Sequence, residues 1–341
     1  MKLLIRPFNK SDEDYKAVTA IWNATWPDEP ESPELQRHWD ESRDPARYLE
    51  RLVGEDDGAI VASMELSDRP WSYKPGHYEI FITVHPDHQG RGYGSTLFER
   101  GLAIIAEREP SPLVLMSATR EDRPRYIDFL TKRGFEQVMR YQVSALDLAT
   151  FDPAPFEDAE DRVRTAGIEI RSIAEIASVD PDWKHKWYEH KWEVFQDVPL
   201  PEPPTKQPFE VWLKQLDAPN FTPHAHWVAL DGERFVGTTG LWLCLADPTK
   251  IWTGLTGVAR SHRRKRIATA LKLRAIRYAV DEGYRFVETD NEENNPMYQL
   301  NVRLGFTPKP AWLDFRRSWS EGATAGDARE RTDRAASAAN A

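Results

Sequence analysis

Cysteine is almost missing from this chain, since Cys244 stands alone among 341 residues. A single cysteine excludes an intramolecular disulfide framework and a cysteine-rich metal site, and it favours a reducing cytoplasm as the compartment. Long apolar runs are missing too, because no segment reaches the roughly 18 uninterrupted apolar residues of a membrane span. Residues 1–5 are followed directly by Arg6 and a polar stretch, and this pattern predicts a first strand and not a signal peptide. We therefore expect a cytoplasmic protein with no metal and no membrane partner.

An excess of positive charge is also lacking, because 45 lysines and arginines face 55 aspartates and glutamates, for a net charge of −10. Nucleic-acid partners usually need a basic face, so we expect none. The acidic balance is compatible with a cationic amine as a substrate, although solubility alone explains the same balance. A composition of 40% hydrophobic and 29% charged residues describes a globular protein. The length favours two domains of ordinary size.

A glycine-rich turn, residues 84–94, organises the first half of the chain. An apolar run from Tyr78 to Val84 predicts a strand before it, and residues 95–107 predict a helix after it. A strand that turns through glycines into a helix presents free backbone N–H groups, which favour phosphate. The spacing of the glycines differs from a dinucleotide-binding fingerprint, and the Gly-Lys-Ser/Thr of a P-loop is absent. The turn therefore predicts a third kind of phosphate site.

The order of predicted elements occurs twice along the chain. Each half begins with a short strand and continues with helices, a hairpin, a strand that leads into a basic or glycine-rich turn, a helix, a strand and a last helix ending at Gly-Phe. In the first half, two closing strands are predicted, from residue 135 onward and over 141–148. The prolines and acidic residues between the halves are typical of a linker. We predict an N-terminal domain over 1–150, a linker over 151–166, a C-terminal domain over 167–319 and a disordered tail over 320–341.

The turn fits the pattern Gln/Arg-x-x-Gly-x-Gly/Ala after a strand ending in valine, and this pattern resembles the pyrophosphate-binding signature of the GNAT superfamily of acyl-CoA-dependent N-acetyltransferases. The resemblance covers residues 3–148 and 168–317, and the tandem arrangement is similar to that of two-domain members such as mycothiol synthase. It implies an α/β fold of the α+β type, with two domains that each contain a mixed, mostly antiparallel sheet flanked by helices. It also implies acetyl-CoA as co-substrate, with no metal.

Two sets of residues are the candidate coenzyme A contacts. Backbone N–H groups of residues 90–95 can bond the diphosphate, and Gln89 can add a side-chain contact. The resemblance implies that the strand end pairs with the pantetheine arm. The first set is Thr83, Val84, Gln89, Gly90, Arg91, Gly92, Tyr93, Gly94 and Ser95. The second set is Val258, Arg263, Arg264, Lys265, Arg266, Ile267, Ala268 and Asn294.

The second set departs from the pattern, because Arg266 stands where the central glycine is expected. An arginine is tolerable there if the position is helical, and it then adds positive charge near a phosphate; at a position that needs positive φ it would be strained. Consecutive basic residues at a helix N-terminus are unfavourable unless an anion is present, which favours retained binding. A solvated basic face is the alternative.

Catalysis by such a fold needs a base, an oxyanion donor and, in some members, an acid. Glu79 is the candidate base because a carboxylate on a mostly apolar strand needs a reason to be there; exposure to solvent or pairing with an arginine would also explain it. The backbone N–H of Val84, or its counterpart at Val258, is the candidate oxyanion donor. Leu130 and Asn301 stand where relatives often carry a tyrosine acid. Tyr126 and Tyr298 lie nearby on the same predicted helices but at a different phase, so the general acid stays unassigned in both halves. Tyr126 is the candidate in the first half.

The expected reaction is transfer of an acetyl group to a primary amine of a small molecule, by direct attack in a ternary complex. Acidic and aromatic residues in the first two helices and connecting loop of each half, among them Trp26, Glu31, Trp192 and Asp197, could cradle a cationic amine. Core tryptophans beside a solvated acidic loop would explain the same residues. A non-catalytic acyl-CoA-binding protein and a mycothiol-synthase-like acyltransferase are the alternatives. The active half, the acceptor and the choice between monomer and homodimer stay open.

Overall fold

The computed structural model describes residues 3–108 and 114–319. The predicted disordered tail, 320–341, lies outside the described residues. The chain divides into two compact units: the first combines residues 3–140 with 311–319, and the second comprises Tyr141–Pro310. Within the described ranges, every helix is too short or too polar to cross a membrane.

The helices and strands of the described chain are named in chain order. The first group is β1 Leu4–Pro7, α1 Asp12–Thr25, α2 Pro33–Ser42, β2 Leu49–Asp56, β3 Ala59–Ser67, β4 His77–Val84, α3 Tyr93–Arg108, β5 Val114–Arg120, α4 Pro124–Thr131 and β6 Glu136–Asp147. The second group is α5 Ala159–Thr165, β7 Ile168–Ser172, α6 Ile173–Ala177, α7 Trp183–Phe195, α8 Phe209–Leu213, β8 His226–Asp231, β9 Arg234–Leu243, β10 Lys250–Thr253, β11 Gly257–Val258, α9 Ile267–Asp281, β12 Phe286–Glu292, α10 Pro296–Arg303, β13 Thr307–Pro308 and β14 Trp312–Ser318.

Both units have the same sheet order with one parallel pair. The first sheet runs β1-β2-β3-β4-β5-β14. In it, β4 and β5 are parallel, and the other pairs of neighbouring strands are antiparallel. The second runs β7-β8-β9-β10-β12-β6, with β10 and β12 as the parallel pair. The prediction of two domains, each with a mixed and mostly antiparallel sheet flanked by helices, is confirmed.

The last strand of each sheet comes from a distant part of the chain. Where two closing strands were predicted after Gly134, the structure has the single strand β6, whose residues 141–147 pair with β12 in the second unit. The first unit is closed instead by β14, which pairs along its whole length with β5. The units therefore differ from the predicted ranges 1–150 and 167–319, since the chain passes into the second unit at Tyr141 and returns at Ala311.

The segment predicted as a linker, 151–166, is packed structure. It contains α5, and its side chains Phe156, Ala159 and Val163 are buried in the core of the second unit. Glu160 forms ion pairs with Arg274 and Arg277 of α9. The acidic residues and prolines that suggested a linker lie on the exposed side, while three apolar side chains fix the segment to the core.

Serine caps fix where the helices over the first sheet begin. Ser11 accepts a hydrogen bond from the backbone N–H of Asp14 at 3.2 Å, and three acidic residues in the first turn favour the positive end of the α1 dipole. Ser32 caps α2 in the same way, with Pro33 as its first residue. Pro27 and Pro30 keep the connection between α1 and α2 non-helical, so that it forms a loop beside the sheet.

A buried arginine ties that loop to the sheet. Arg120, at the end of β5, is 2% exposed and lies 2.6 Å from Asp28, 3.3 Å from Glu29 and 3.0 Å from Asp122. Removing one partner of a buried charge cluster leaves the other charges uncompensated.

Replacing Arg120 with leucine is expected to lower the free energy of unfolding by about 3 kcal/mol, because the three carboxylates lose the buried positive charge that they share. Urea denaturation measures this loss. Lys132→Met is the control, since the exposed Lys132 lies 3.6 Å from Asp128 and such pairs contribute about 0.5 kcal/mol or less. Equal stability of Arg120→Leu and Lys132→Met would show that the cluster does not hold the loop.

Candidate functional site

The glycine turn of the first unit has the backbone of an anion-binding loop. After β4, a short turn leads to Gly90 and Gly92, whose φ angles are +81° and +84°. Only glycine takes such angles without strain. A Cβ on Gly90 would lie 2.8 Å from Nη2 of Arg125, whereas the ideal Cβ position of Gly92 has nothing within 4 Å. The N–H groups at the start of α3 therefore face a space with room for a ligand and with a guanidinium beside it.

Two side chains predicted to contact coenzyme A hold the turn in place instead. The hydroxyl of Tyr93 donates to Asp56 at 2.7 Å, and Arg91 Nη1 lies 3.1 Å from the same carboxylate. The hydrogen bond from Tyr93 lowers the pKa of Asp56, so this carboxylate stays ionised and keeps both partners. Arg91 and Tyr93 thus fix the turn to the β2–β3 hairpin, while their backbone N–H groups remain part of the loop.

β4 separates from β5 just before the turn. The parallel pairing covers His77, Tyr78 and Glu79 and then stops, and the Ser117 hydroxyl donates to the carbonyl of Ile80 at 2.8 Å. His85 N–H donates to Val61 on the opposite side. Because bonding direction alternates along an antiparallel strand, the backbone groups of Ile82 and Val84 face the opened edge. Those of Thr83 face β3, so its predicted pantetheine contact is not made by its backbone.

One cavity lies on the glycine-turn side of this opening. It has a volume of about 200 Å³ and is lined by the side chains or backbone of Ile82, Val84, Gly92, Arg125 and Tyr126 among others. Gln89, Gly90, Gly94 and Ser95 of the predicted set also line it. The structure thus brings most of the first set of predicted contacts around one space.

A larger cavity of about 560 Å³ lies on the opposite face of β4. Because side chains alternate along a strand, Glu79, Phe81 and Thr83 point into it, away from the core. Among the described residues, four carboxylates and one guanidinium line this cavity: Glu31, Asp40, Glu65, Glu79 and Arg51. Trp22, Trp39, Trp71 and Trp312 supply aromatic surface. Acidic and aromatic walls together favour a cationic ligand.

The corresponding turn of the second unit has the same backbone but lacks the glycines. Arg264 and Arg266 have φ angles of +65° and +66°, as Gly90 and Gly92 have in the first unit. The Nε of Arg263 donates to the carbonyl of Val258 at 3.2 Å, as Gln89 does to Val84 at 3.1 Å. The loop shape is therefore retained at the cost of two strained arginines.

Three side chains of the second set contact neighbours within the unit. Arg263 forms an ion pair with Asp197, which also lies 2.9 Å from Nε of Arg260. Asn294 donates to Glu292 at 2.8 Å. Ile267 is buried in the core, whereas Lys265 is exposed and Ala268 is half-buried. Asp197, predicted as part of an amine cradle, is thus a counter-ion for the loop.

Arg266→Gly is expected to raise the free energy of unfolding by about 0.5–1 kcal/mol, because relief of the strained backbone exceeds the added entropy of the unfolded chain. Calorimetric melting would detect this as a rise of about 2 °C. Lys265→Gly is the control, since its φ is not positive, and it is expected to lower the melting temperature. A fall with both variants would show that Arg266 carries no strain.

The sequence model of the acetyltransferase (GNAT) family matches residues 15–135 and 184–306. This chain belongs to the GNAT family. The matched ranges contain both turns, so the chain carries two GNAT domains, and this fold supports acyl transfer in general. No curated protein sequence matches the chain.

Solved structures share the GNAT fold over nearly the whole chain. A tandem GNAT protein from the clavulanic acid biosynthesis pathway is 19% identical with a TM-score of 0.72, over 94% of this chain and 100% of that protein. A GCN5-related N-acetyltransferase from Sphaerobacter thermophilus is 22% identical with a TM-score of 0.66, over 94% and 97%. A glucosamine N-acetyltransferase region in a fungal multi-domain GH3 β-N-acetylglucosaminidase is 15% identical with a TM-score of 0.67, over 93% of this chain and 38% of that one. At these identities the likeness shows the fold alone.

Glu79 of the first GNAT domain lines the larger cavity, but it also has an arginine partner. Arg69 Nη2 lies 3.2 Å from Glu79 and 3.1 Å from Asp314, so it bridges the two carboxylates. Burial raises the pKa of Glu79 and, beside it, that of Asp314. Glu79 therefore pairs with an arginine, which was one of the alternatives that the sequence left open. Its raised pKa also moves it towards the range of a general base.

Val84 and Tyr126 meet at the opening of β4. The Tyr126 hydroxyl lies 3.4 Å from the carbonyl of Val84 and 3.2 Å from Nε2 of Gln89, and burial raises the pKa of the phenol. A protonated phenol at this point can donate a proton. Glu79 is five residues earlier on β4, about 16 Å along the strand. The candidate base and acid are thus separated along β4.

Two residues of the site come from β14 and were missed by sequence reasoning. Trp312 stacks near Trp22 with ring centroids 6.3 Å apart and donates to Glu29 at 2.9 Å. Asp314 shares Arg69 with Glu79. No local pattern links this strand to the first domain, because its partner β5 lies far away in the sequence. In the described ranges, no cluster of histidine, cysteine, aspartate or glutamate is arranged to hold a metal ion.

Proposed function

We propose that this protein transfers an acetyl group from acetyl-CoA to a primary amine of a small cationic molecule, and that the first unit does so. The observation that carries the proposal is the pair of cavities on the two faces of β4, where this strand leaves β5. One cavity borders the glycine turn, and the other is acidic and aromatic. A thioester reaching through the opening from the first would meet an amine held in the second.

The glycine turn suits the diphosphate of acetyl-CoA. Its N–H groups and the α3 dipole favour negative charge, and Arg125 adds a positive charge at the cavity wall. The opened edge of β4 offers the backbone groups of Ile82 and Val84 to the pantetheine arm, as an added strand would use them. The carbonyl of Val84, now bonded by Gln89 and Tyr126, has to exchange these partners when the arm enters.

The acceptor cavity suits a protonated amine. Arg51 lies 2.6 Å from Asp40 and 3.6 Å from Glu65, and Arg69 lies 3.2 Å from Glu79. The four carboxylates of the lining therefore outnumber the two guanidinium groups that contact them. Burial raises the pKa of Glu31 as well as that of Glu79. A carboxylate with a raised pKa accepts a proton from an ammonium group more readily than an ordinary one.

In the reaction, Glu79 takes a proton from the ammonium group through a chain of water molecules along the acceptor cavity, and the neutral nitrogen attacks the thioester carbon within the ternary complex. A C–N bond forms, and the N–H of Val84 stabilises the oxyanion. When the C–S bond breaks, Tyr126 donates its proton to the leaving thiolate, and the second proton of the nitrogen passes to water. Amide and free thiol are the products.

The test is a panel of amines incubated with acetyl-CoA and the whole chain. Release of free thiol and the mass of the acetylated product are both measured. We expect turnover with cationic amines that carry a second positive charge or an aromatic ring, and weak turnover with amines bearing a carboxylate. Saturable acetyl-CoA binding without thiol release from any amine would instead favour a non-catalytic acyl-CoA-binding protein. Turnover with a thiol–sugar conjugate alone would favour the mycothiol-synthase-like alternative.

A further inference from the structure

The second unit buries a cluster of aromatic side chains under α7 and α8. Trp187 of α7 is the centre of this aromatic cluster, with ring centroids 5.6 Å from Trp212, 6.3 Å from Phe221 and 5.4 Å from His226. Phe221 and His226 are themselves 4.8 Å apart. Such a cluster is ordinary core material, except for the polar groups placed inside it.

Lys191 brings a positive charge into the aromatic cluster. Its Nζ lies 4.9 Å from the Trp187 ring and 5.8 Å from the Trp212 ring. No ion pair or hydrogen bond of its ammonium group is found among the described residues. Burial alone lowers its pKa to about 8, with no contribution from a carboxylate. At neutral pH the group is therefore mostly charged, and its compensation within the described residues comes from aromatic faces.

Two further polar groups around Trp187 are buried and without a hydrogen-bond partner in the described structure. His226 is 2% exposed and its Nε2 is unpaired. Trp212 is 5% exposed and its indole N–H is unpaired. Burial, and to a smaller degree the charge of Lys191, hold the pKa of His226 well below its usual value, so this ring is neutral. Unpaired buried polar groups are rare in folded proteins because each has a cost in stability.

One kind of ligand carries the partners that all three groups lack. A carboxylate supplies a counter-ion for the ammonium and two oxygens that accept from the indole and imidazole N–H groups. One lysine and two neutral donors suit a ligand with a single negative charge. The surrounding aromatic rings suit a ligand whose remaining part is apolar. The sequence analysis predicted that this part of the second half binds a cationic amine. The positive charge of Lys191 favours an anionic ligand instead.

We propose that the aromatic cluster of the second unit binds a small organic carboxylate, with Lys191, Trp212 and His226 as its polar contacts. Lys191 is half-buried, so the aromatic cluster borders solvent at this residue. This site goes beyond the proposed acyl transfer in the first unit, and its binding does not depend on acetyl-CoA.

The test is a titration of the full chain with benzoate, followed by ligand-observed NMR in the absence of acetyl-CoA. We expect saturable binding of roughly millimolar affinity, as for other ligands of this size. Lys191→Met should weaken it by about 10- to 100-fold. Lys184→Met is the matched control, because Lys184 lies on the same helix, 5.7 Å from the Trp183 ring, and is exposed. It should leave benzoate binding unchanged.

Neutral and cationic analogues keep the test decisive if Lys191→Met folds poorly. Benzamide and benzylamine should bind wild type at least about 10-fold more weakly than benzoate, and Trp212→Phe, which keeps the ring but removes the N–H, should weaken benzoate several-fold. Absence of saturable benzoate binding to wild type, equal affinity for benzoate and benzamide, or unchanged binding by a folded Lys191→Met would overturn the proposal.

Discussion

Gly92→Glu is expected to weaken acetyl-CoA binding to the first unit by about 100-fold or more. The substitution places a carboxylate where the N–H groups at the start of α3 face the diphosphate, and it replaces charge-assisted hydrogen bonds by repulsion of like charges. Nothing lies within 4 Å of the ideal Cβ position of Gly92, so the new side chain has room to point into the ligand space. Isothermal titration calorimetry measures the lost binding event.

Two controls separate charge from backbone strain. Gly92→Ala imposes the same strained φ of +84° without a charge, so it should weaken binding much less than Gly92→Glu. Gly58→Glu adds the same residue at a similar φ of +79° in the β2–β3 hairpin and should leave binding unchanged. Equal losses for Gly92→Ala and Gly92→Glu would mean that the turn is needed for its shape and not as a phosphate site.

Glu79→Gln is expected to lower kcat by about 10²- to 10⁴-fold while leaving the KM for acetyl-CoA unchanged, because a general base on the acceptor side is removed and the glycine turn is untouched. Steady-state kinetics with the best amine of the panel measures both constants. Glu65→Gln is the matched control, since Glu65 lines the same cavity with a 40% exposed side chain. It should mainly raise the KM for the amine.

The pH profile distinguishes a base from a structural partner of Arg69. Burial raises the pKa of Glu79, so its deprotonated, active form is lost at a higher pH than for an ordinary glutamate at about 4.3. The acid limb of kcat/KM in wild type should therefore lie above that value and be absent in Glu79→Gln. An unchanged kcat, or the same acid limb in both proteins, would make Glu79 only a partner of Arg69.

The turn and the fold could be predicted from the sequence because their signals are local. The spacing of glycines 90 and 92 and the helical pattern after them define a phosphate loop within a dozen residues. The repeat of the same order in the second half then predicted two domains of one fold. Whether an arginine is tolerated or strained at position 266 depends on the φ angle there, which cannot be read from the sequence. The structure shows that this φ is positive.

The missed features depend on contacts between distant residues. Trp312 and Asp314 belong to the first unit because β14 pairs with β5, and strand pairing between remote segments leaves no local pattern. The segment 151–166 was predicted to be a linker because most of its residues are polar or proline and lie on its exposed side. Its packing depends on a few buried residues such as Phe156 and Val163. Lys191 was unremarkable in sequence, since its lack of a counter-ion among the described residues is a property of the folded cluster.

The central claim, acetyl transfer by the first unit, is tested most directly by comparing Gly92→Glu with Ala268→Glu. These variants place the same carboxylate in the phosphate loop of one unit and then of the other. Thiol release from acetyl-CoA is measured with the best amine of the panel. We expect Gly92→Glu to retain about 1% of wild-type turnover or less and Ala268→Glu to retain most of it. Turnover that survives Gly92→Glu and disappears in Ala268→Glu would contradict the claim and assign the reaction to the second unit.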